Sequence, residues 1–113
     1  MIYDITPCPK PRQTRSDKWK KRPAVMRYRA FADECRLKKV TFVDGDKIIF
    51  YIAMPKSWSK KKKDEMFLQS HKQKPDIDNL FKALADAIYK EDSHISEITI
   101  MKCWGKKGAI QII

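Results

Sequence analysis

Four charged residues near position 80 have the types and the spacing needed to hold a metal ion against a phosphate. Asp76 and Asp78 lie one residue apart, and Lys82 and Asp86 follow Asp78 in steps of four residues. Two carboxylates at a helix start can hold one hard divalent cation, and a lysine one turn further on can face the phosphate which that cation binds. The spacing therefore predicts a site for metal-assisted phosphodiester chemistry.

A helix through Ile88 must position these residues. Pro75 prevents an earlier helix, and we expect Asp76 to be the N-cap, with its carboxylate accepting from a free backbone N–H. At about 100° per residue, the charged residues share one face and apolar residues share the other, namely Ile77, Leu80, Phe81, Leu84 and Ile88. Acidic residues in a first turn also complement the helix dipole, so residue types alone leave a purely structural role open.

The same stretch resembles a known family. The chain resembles the RusA family of Holliday junction resolvases at three neighbouring segments, Lys74-Pro75-Asp76-Ile77-Asp78-Asn79-Leu80, Lys82-Ala83 and Asp86-Ala87. The resemblance implies a homodimeric, magnesium-dependent endodeoxyribonuclease of phage or prophage origin that resolves four-way DNA junctions by paired symmetric nicks, in recombination and repair. It implies no small-molecule cofactor besides Mg²⁺. It also implies that the catalytic residues are Asp76, Asp78, Asp92 and Lys82, with the three aspartates as metal ligands.

Asp92 lies at the limit of reach from the other two carboxylates. The helix from Asp78 to Ile88 is about 15 Å long, and the four residues 89–92 can return about 13 Å when fully extended. Either the chain doubles straight back, or a second subunit completes the site. We expect a homodimer with its acidic sites near the interface.

The balance of charge points to a polyanionic partner. The chain has 25 Lys and Arg against 14 Asp and Glu, a net charge of +11, which favours nucleic acid before an anionic membrane. Two basic stretches and Lys74 supply the predicted DNA contacts, which are Arg12, Arg15, Lys18, Lys20, Lys21, Arg22, Lys60, Lys61, Lys62, Lys63 and Lys74. Such a charge run is also typical of a solvated face, but the resemblance favours backbone contact by residues 60–63.

The predicted fold is a single small α/β domain over residues 1–113. Alternation and composition predict strands over 3–6, 39–43, 47–54, 95–104 and 109–113, and helices over 24–38, from Ser57 or Ser59 to about 69, and over 76–88. Strand 47–54 is expected to be central, and 70–74 a mobile connector. The class is a mixed, mostly antiparallel sheet of about four to five strands packed by two to three helices.

The turn Asp44-Gly45-Asp46 is predicted to close a hairpin, although its two carboxylates leave metal binding open. Cys8, Cys35 and Cys103 are widely spaced, so we expect free thiols rather than a disulfide framework or a zinc site. No apolar run is long enough to span a bilayer and no signal-peptide pattern opens the chain, so we expect a cytoplasmic protein. Two other functions stay open: a non-catalytic, basic nucleic-acid-binding module, and a magnesium nuclease acting on other branched DNA.

Overall fold

The computed structural model describes residues 1–11, 23–91 and 93–113. Its strands in this part of the chain are β1 (Ile2–Tyr3), β2 (Lys47–Ala53), β3 (Thr99–Gly105) and β4 (Ala109–Ile112). Its helices are α1 (Pro23–Leu37), α2 (Lys60–Met66) and α3 (Ile77–Ile88). Among these residues, no helix has both the length and the apolar character that crossing a membrane requires.

The strands form one sheet in the order β1-β4-β2-β3. Strand β2 lies parallel to β3, with Phe50 opposite Lys102, and antiparallel to β4, with Phe50 opposite Ile110. Strand β1 is antiparallel to β4. The parallel pair is possible because α2 and α3 form the long connection between β2 and β3. The predicted mixed, mostly antiparallel α/β sheet is therefore confirmed.

The core lies around β2 and α3. Ile48, Ile49 and Phe50 are buried in succession, so both faces of the central strand are covered, as the nearly continuous apolar run predicts. Of the predicted stripe on α3, Leu80 and Leu84 are fully buried.

Helix α3 also has a second packed face, which the stripe does not reveal. It contains Ala83 and Ala87, which lie one helical turn apart and are both buried. Helix α1 crosses there, because Arg36 Nε of α1 donates to the carbonyl of Ala87 at 3.0 Å. Alanines allow the two helix backbones to approach closely, so α3 is fixed from both the sheet and α1.

The predicted strand over 39–43 and its hairpin are wrong. Residues 40–43 have no strand structure, and β2 takes β4 as its antiparallel partner. Val40 and Phe42 are nevertheless buried. Residues of these types are typical of strands, but here they belong to a loop that inserts their side chains into the core. The turn itself exists, because Gly45 has a φ of +89° and Asp46 N donates to the carbonyl of Val43 at 3.1 Å.

The connector predicted as mobile over 70–74 is instead tied to β3. Ser70 forms an antiparallel bridge with Cys103, and His71 N donates to the carbonyl of Lys102 at 3.2 Å. His71 is buried with its ring 4.3 Å from that of Trp104, and burial lowers its pKa, with the charge of Lys102 as a second cause. The segment before α3 is therefore an ordered extension of the sheet edge.

Other element boundaries shift by a few residues. Strand β3 begins at Thr99 rather than at 95, because the backbone N–H groups of Ser96 and Glu97 bond to a side chain instead of to a strand. Ser59 is the N-cap of α2, as predicted, and its hydroxyl accepts from Lys62 N at 3.2 Å. All three cysteines are free thiols, as predicted.

Candidate active site

The start of α3 presents two exposed carboxylates. Asp76 is the N-cap, with an extended backbone (φ −69°, ψ 144°), and Asp78 lies in the first turn. The prediction that the Asp76 carboxylate caps the helix is wrong, since its side chain makes no cap hydrogen bond. Its carbonyl oxygen accepts from Leu80 N at 3.1 Å, so the main chain alone begins the helix. The Asp76 carboxylate is thereby left available for a ligand.

Lys102 fixes the backbone that leads into Asp76. This half-buried lysine of β3 donates from Nζ to the carbonyl of Pro75 at 2.6 Å and also to the carbonyl of Gln73. Two carbonyl groups next to the carboxylate pair are thus bound to the parallel half of the sheet. Lys102 was not predicted as a site residue. A signal was available, because Lys102 falls on the strand face of Ile98 and Ile100, where an apolar residue is expected.

The outer face of α3 carries a group of three charged residues. Lys82 Nζ lies 3.9 Å from Asp86 Oδ2, as side chains four residues apart on one helix face can. Lys10 Nζ donates to the same oxygen of Asp86. The side chain of Asp86 is 26% exposed, whereas that of Lys82 is 62% exposed. One carboxylate thus holds two cations, and Lys82 reaches further into solvent.

Lys10 is the second site residue that sequence reasoning missed as such. Its carbonyl accepts a hydrogen bond from Asn79 Nδ2 at 3.2 Å. Asn79 therefore ties the N-terminal segment to α3. The main chain and side chain of Lys10 are both bound to the helix that carries Asp78.

Asp44 and Asp46 have structural roles that use their carboxylates. Asp44 accepts from Glu97 N at 2.8 Å, and from Ser96 N and Ser96 Oγ, each at 2.7 Å. These bonds, with the Glu97 N–H contributing most, hold the pKa of the Asp44 carboxyl below its usual value. Asp46 accepts from Val43 N at 2.9 Å. The turn residues thus anchor the loop that precedes β3, and metal binding is not needed to explain them.

Some predicted residues lie outside the described part of the chain. These are Asp92 and the basic residues of the segment 12–22, namely Arg12, Arg15, Lys18, Lys20, Lys21 and Arg22. Next to Asp92, Glu91 is exposed and accepts from Ser93 Oγ at 3.0 Å. Within residues 1–11, 23–91 and 93–113, no group of three His, Cys, Asp or Glu side chains is placed to hold a metal ion. The structure places Asp76 and Asp78 at the start of α3 and Lys82 further along the same helix, while their joint role and the place of Asp92 stay predictions.

The lysine run presents its side chains in more than one direction. Lys60, Lys61, Lys62 and Lys63 begin α2, and Lys62 Nζ lies 4.4 Å from the ring centroid of Trp58. Trp58 in turn packs on Trp104, with 4.8 Å between ring centroids. Lys74 is exposed just before Pro75. The run is therefore held on the sheet by two tryptophans, with its charges at the surface.

The donor set at the start of α3 fits a hard divalent cation. Carboxylate oxygens are the protein ligands that Mg²⁺ prefers, and Mg²⁺ keeps several waters, so few protein ligands are required. Asp76 and Asp78 are exposed, and the Asp76 carboxylate is unused by the helix cap. The backbone N-terminus of α3 brings only partial positive charge. The arrangement can therefore bind a cation that also touches a phosphate.

Comparison with known proteins places this geometry in context. A family model described as Endodeoxyribonuclease RusA matches residues 4–113. A curated relative, the uncharacterized protein YqaN of Bacillus subtilis (strain 168), is 35% identical over 71 residues, which cover 56% of this chain and 50% of the relative. The chain thus spans about half the length of that relative. No solved structure matches the chain.

Proposed function

The chain belongs to the RusA endodeoxyribonuclease family, and from this premise we propose that it is a magnesium-dependent endonuclease that resolves four-way DNA junctions. The observation that carries the proposal is the pair of exposed carboxylates, Asp76 and Asp78, at an α3 start whose backbone is fixed by Lys102. Paired symmetric nicks in the junction would serve DNA recombination and repair.

We propose Asp76, Asp78 and Asp92 as the ligands of Mg²⁺. When bound, the ion supplies an activated water and neutralises charge on the scissile phosphate. The protein contributes the position of the carboxylates: Lys102 holds the backbone before Asp76, and Asn79 holds the N-terminal segment against α3. Because these anchors belong to the sheet and the helix, the main chain that carries the carboxylates is held before DNA binds.

Lys82 is the proposed cation at the phosphate. Its side chain is more exposed than that of Asp86, which it approaches to 3.9 Å. Asp86 limits the directions that the Lys82 ammonium explores, and Lys10 shares the same carboxylate oxygen. A positive charge held in this way stabilises the charge that develops on the phosphate oxygens in the transition state.

The basic surface is proposed to hold the arms of the junction. The net charge of +11 supplies a sequence-independent attraction to the phosphate backbone. Within it, the run that begins α2 and Lys74, both of which precede α3 in the chain, are the first proposed contact, and the basic residues of segment 12–22 are the second. These residues position the DNA rather than read its sequence.

A homodimer is part of the proposal. A four-way junction has two equivalent strands to cut, and a twofold dimer presents two equivalent sites to them. Within one chain, residues 89–92 span at most about 13 Å, whereas the helix from Asp78 to Ile88 is about 15 Å long. A second subunit could supply Asp92 to the Asp76 and Asp78 pair without this restriction.

The test is a synthetic four-way junction incubated with purified protein. Asp78→Asn is expected to bind the junction and to leave it uncut in magnesium, since it removes a ligand but little net charge. Asp33→Asn is the matched control, because Asp33 is an exposed carboxylate of α1 paired only with its helix neighbour Arg36 among the described residues, and it should cut like the unmodified protein. Cleavage by Asp78→Asn at the unmodified rate would contradict the proposal.

A further inference from the structure

A basic cavity lies apart from the carboxylate pair. It has a volume of about 550 Å³ and lies between the end of β2, helix α2 and the turn after β3. Four lysines line it, Lys56, Lys60, Lys63 and Lys106. Within the described ranges 1–11, 23–91 and 93–113, none of these four ammonium groups forms an ion pair. The cavity is large enough for a small ligand and favours an anionic one.

One wall of the cavity is aromatic. Phe67 follows α2 and is 38% exposed, and its backbone N–H donates to the carbonyl of Lys63 at 3.0 Å, which fixes the main chain that carries the ring. Lys106 Nζ lies 5.5 Å from the ring centroid. Grooves that bind single-stranded nucleic acid combine these two elements, cations for the backbone and an exposed ring on which a base stacks.

We propose that this cavity binds one unpaired nucleotide of the DNA substrate, with its base on Phe67 and its phosphates on the surrounding lysines. The inference rests on the proposed function, because it names a second contact that the branched DNA makes. An anionic backbone draws Lys106 from the ring toward a phosphate, which leaves the ring open to the base.

Asp64 is expected to orient the bound nucleotide. Its carboxylate lies in the same lining and repels a phosphate, but it can accept a hydrogen bond from an exocyclic amino group of a base or, in thymine, from the ring N3–H. The base is therefore expected to face Asp64, and the phosphates to face the lysines.

The cavity and the carboxylate pair are both connected to β3. Lys102 of β3 holds the backbone next to Asp76, and Lys106 of the cavity lining follows Gly105, the last residue of β3. Capture of an unpaired nucleotide in the cavity would help to choose where the strand is cut.

The test measures binding without cutting, in the presence of a chelator. The probes are a short duplex with a single unpaired fluorescent adenine analogue and the same duplex fully paired. The unmodified protein is expected to bind the first about tenfold more tightly and to quench its fluorescence by stacking. Phe67→Leu should bind both duplexes alike, Phe67→Tyr should retain the preference, and Leu37→Ala, at an exposed residue of α1, should behave as unmodified protein.

The outcomes separate this inference from the proposed function. Equal binding of both duplexes by the unmodified protein overturns the cavity proposal and leaves junction cleavage to be judged by the Asp78→Asn assay. A preference that persists in folded Phe67→Leu also overturns it. If Phe67→Leu does not fold, Lys63→Gln, a change on the surface of the same cavity, must reduce the preference severalfold, and an unchanged preference counts against the proposal.

Discussion

Lys102 Nζ lies 2.6 Å from the carbonyl oxygen of Pro75 and so ties β3 to the residue that immediately precedes Asp76. The same ammonium group also binds the carbonyl of Gln73. Because both carbonyls accept from this half-buried ammonium group, those donors are not available to the substrate. Lys102 therefore acts by positioning the main chain next to the carboxylate pair.

Lys102→Met is expected to lower both the stability of the fold and the rate of cleavage. The apolar chain fills the same space but leaves two carbonyls without their donor, so we expect a loss of about 1.5–3 kcal/mol in the free energy of unfolding and at least a tenfold fall in cleavage rate, since misplaced carboxylates are costly in catalysis. Thermal unfolding and single-turnover cleavage measure the two effects. Lys107→Met is the control, because it removes the same charge from an exposed pair with Asp4, and a similar rate loss there would contradict a positioning role.

Asp86→Asn is expected to slow cleavage by releasing Lys82. The pair with Lys82 is partly exposed and contributes only about 0.3–0.5 kcal/mol, but the substitution also breaks the pair with Lys10, in which both side chains are 26% exposed, so the melting temperature should fall modestly. The rate should fall about tenfold or more, because the Lys82 charge is no longer held near the phosphate. The expected pattern is a lower kcat with KM nearly unchanged. A double variant with Lys82→Ala should lose no more than Lys82→Ala alone, and additive losses would show that Asp86 acts independently of Lys82.

Asp44 should make the stability of the fold depend on pH. Its hydrogen bonds with Glu97 and Ser96 lower the pKa of the folded carboxyl below its unfolded value, so its contribution is fully present above the unfolded pKa and is lost as the pH falls through the folded pKa. Asp44→Asn, which resembles the protonated acid, should therefore melt below the unmodified protein at neutral pH and approach it in acid. Melting curves over a pH series check this, with Asp4→Asn as control. A difference that does not change with pH would contradict the assignment.

Mixed dimers test whether one site draws carboxylates from two subunits. Neither Asp78→Asn nor Asp92→Asn should cut a junction alone. If Asp92 completes the site of its partner, mixing the two proteins creates dimers with one intact site, and cleavage should reappear as nicks on a single strand. If the mixture stays inactive while a mixture of unmodified and variant subunits still nicks, the three carboxylates act within one chain.

Local chemistry allowed much of the fold to be predicted. Pro75 and the apolar spacing of Leu80 and Leu84 predicted helix α3, which is observed. The continuous apolar run around Phe50 predicted a central, buried strand, which is also observed. The strand predicted over 39–43 failed because Val40 and Phe42 satisfy their burial in a loop, and strand propensity does not distinguish these cases.

The site was predicted less completely than the fold, for a different reason. Asp76, Asp78, Lys82 and Asp86 lie within one helix, so their spacing defines their relation. Lys102 contacts Pro75, just before that helix, from 27 residues away, and Lys10 contacts Asp86 of the helix from 76 residues away. No periodicity encodes such contacts, since they depend on how β3 and the N-terminal segment meet α3. The predicted cap hydrogen bond of Asp76 was wrong for a similar reason. Sequence preference identifies the N-cap residue correctly but does not determine where its carboxylate points.

The most direct test of the account is a cut map of a four-way junction whose strands are labelled one at a time, with magnesium present or chelated. The account predicts nicks at symmetric positions on two opposing strands, present only with the metal ion and absent in Asp78→Asn. A junction that is bound in magnesium but stays intact on all its strands would contradict the account and would leave a nucleic-acid-binding protein in its place.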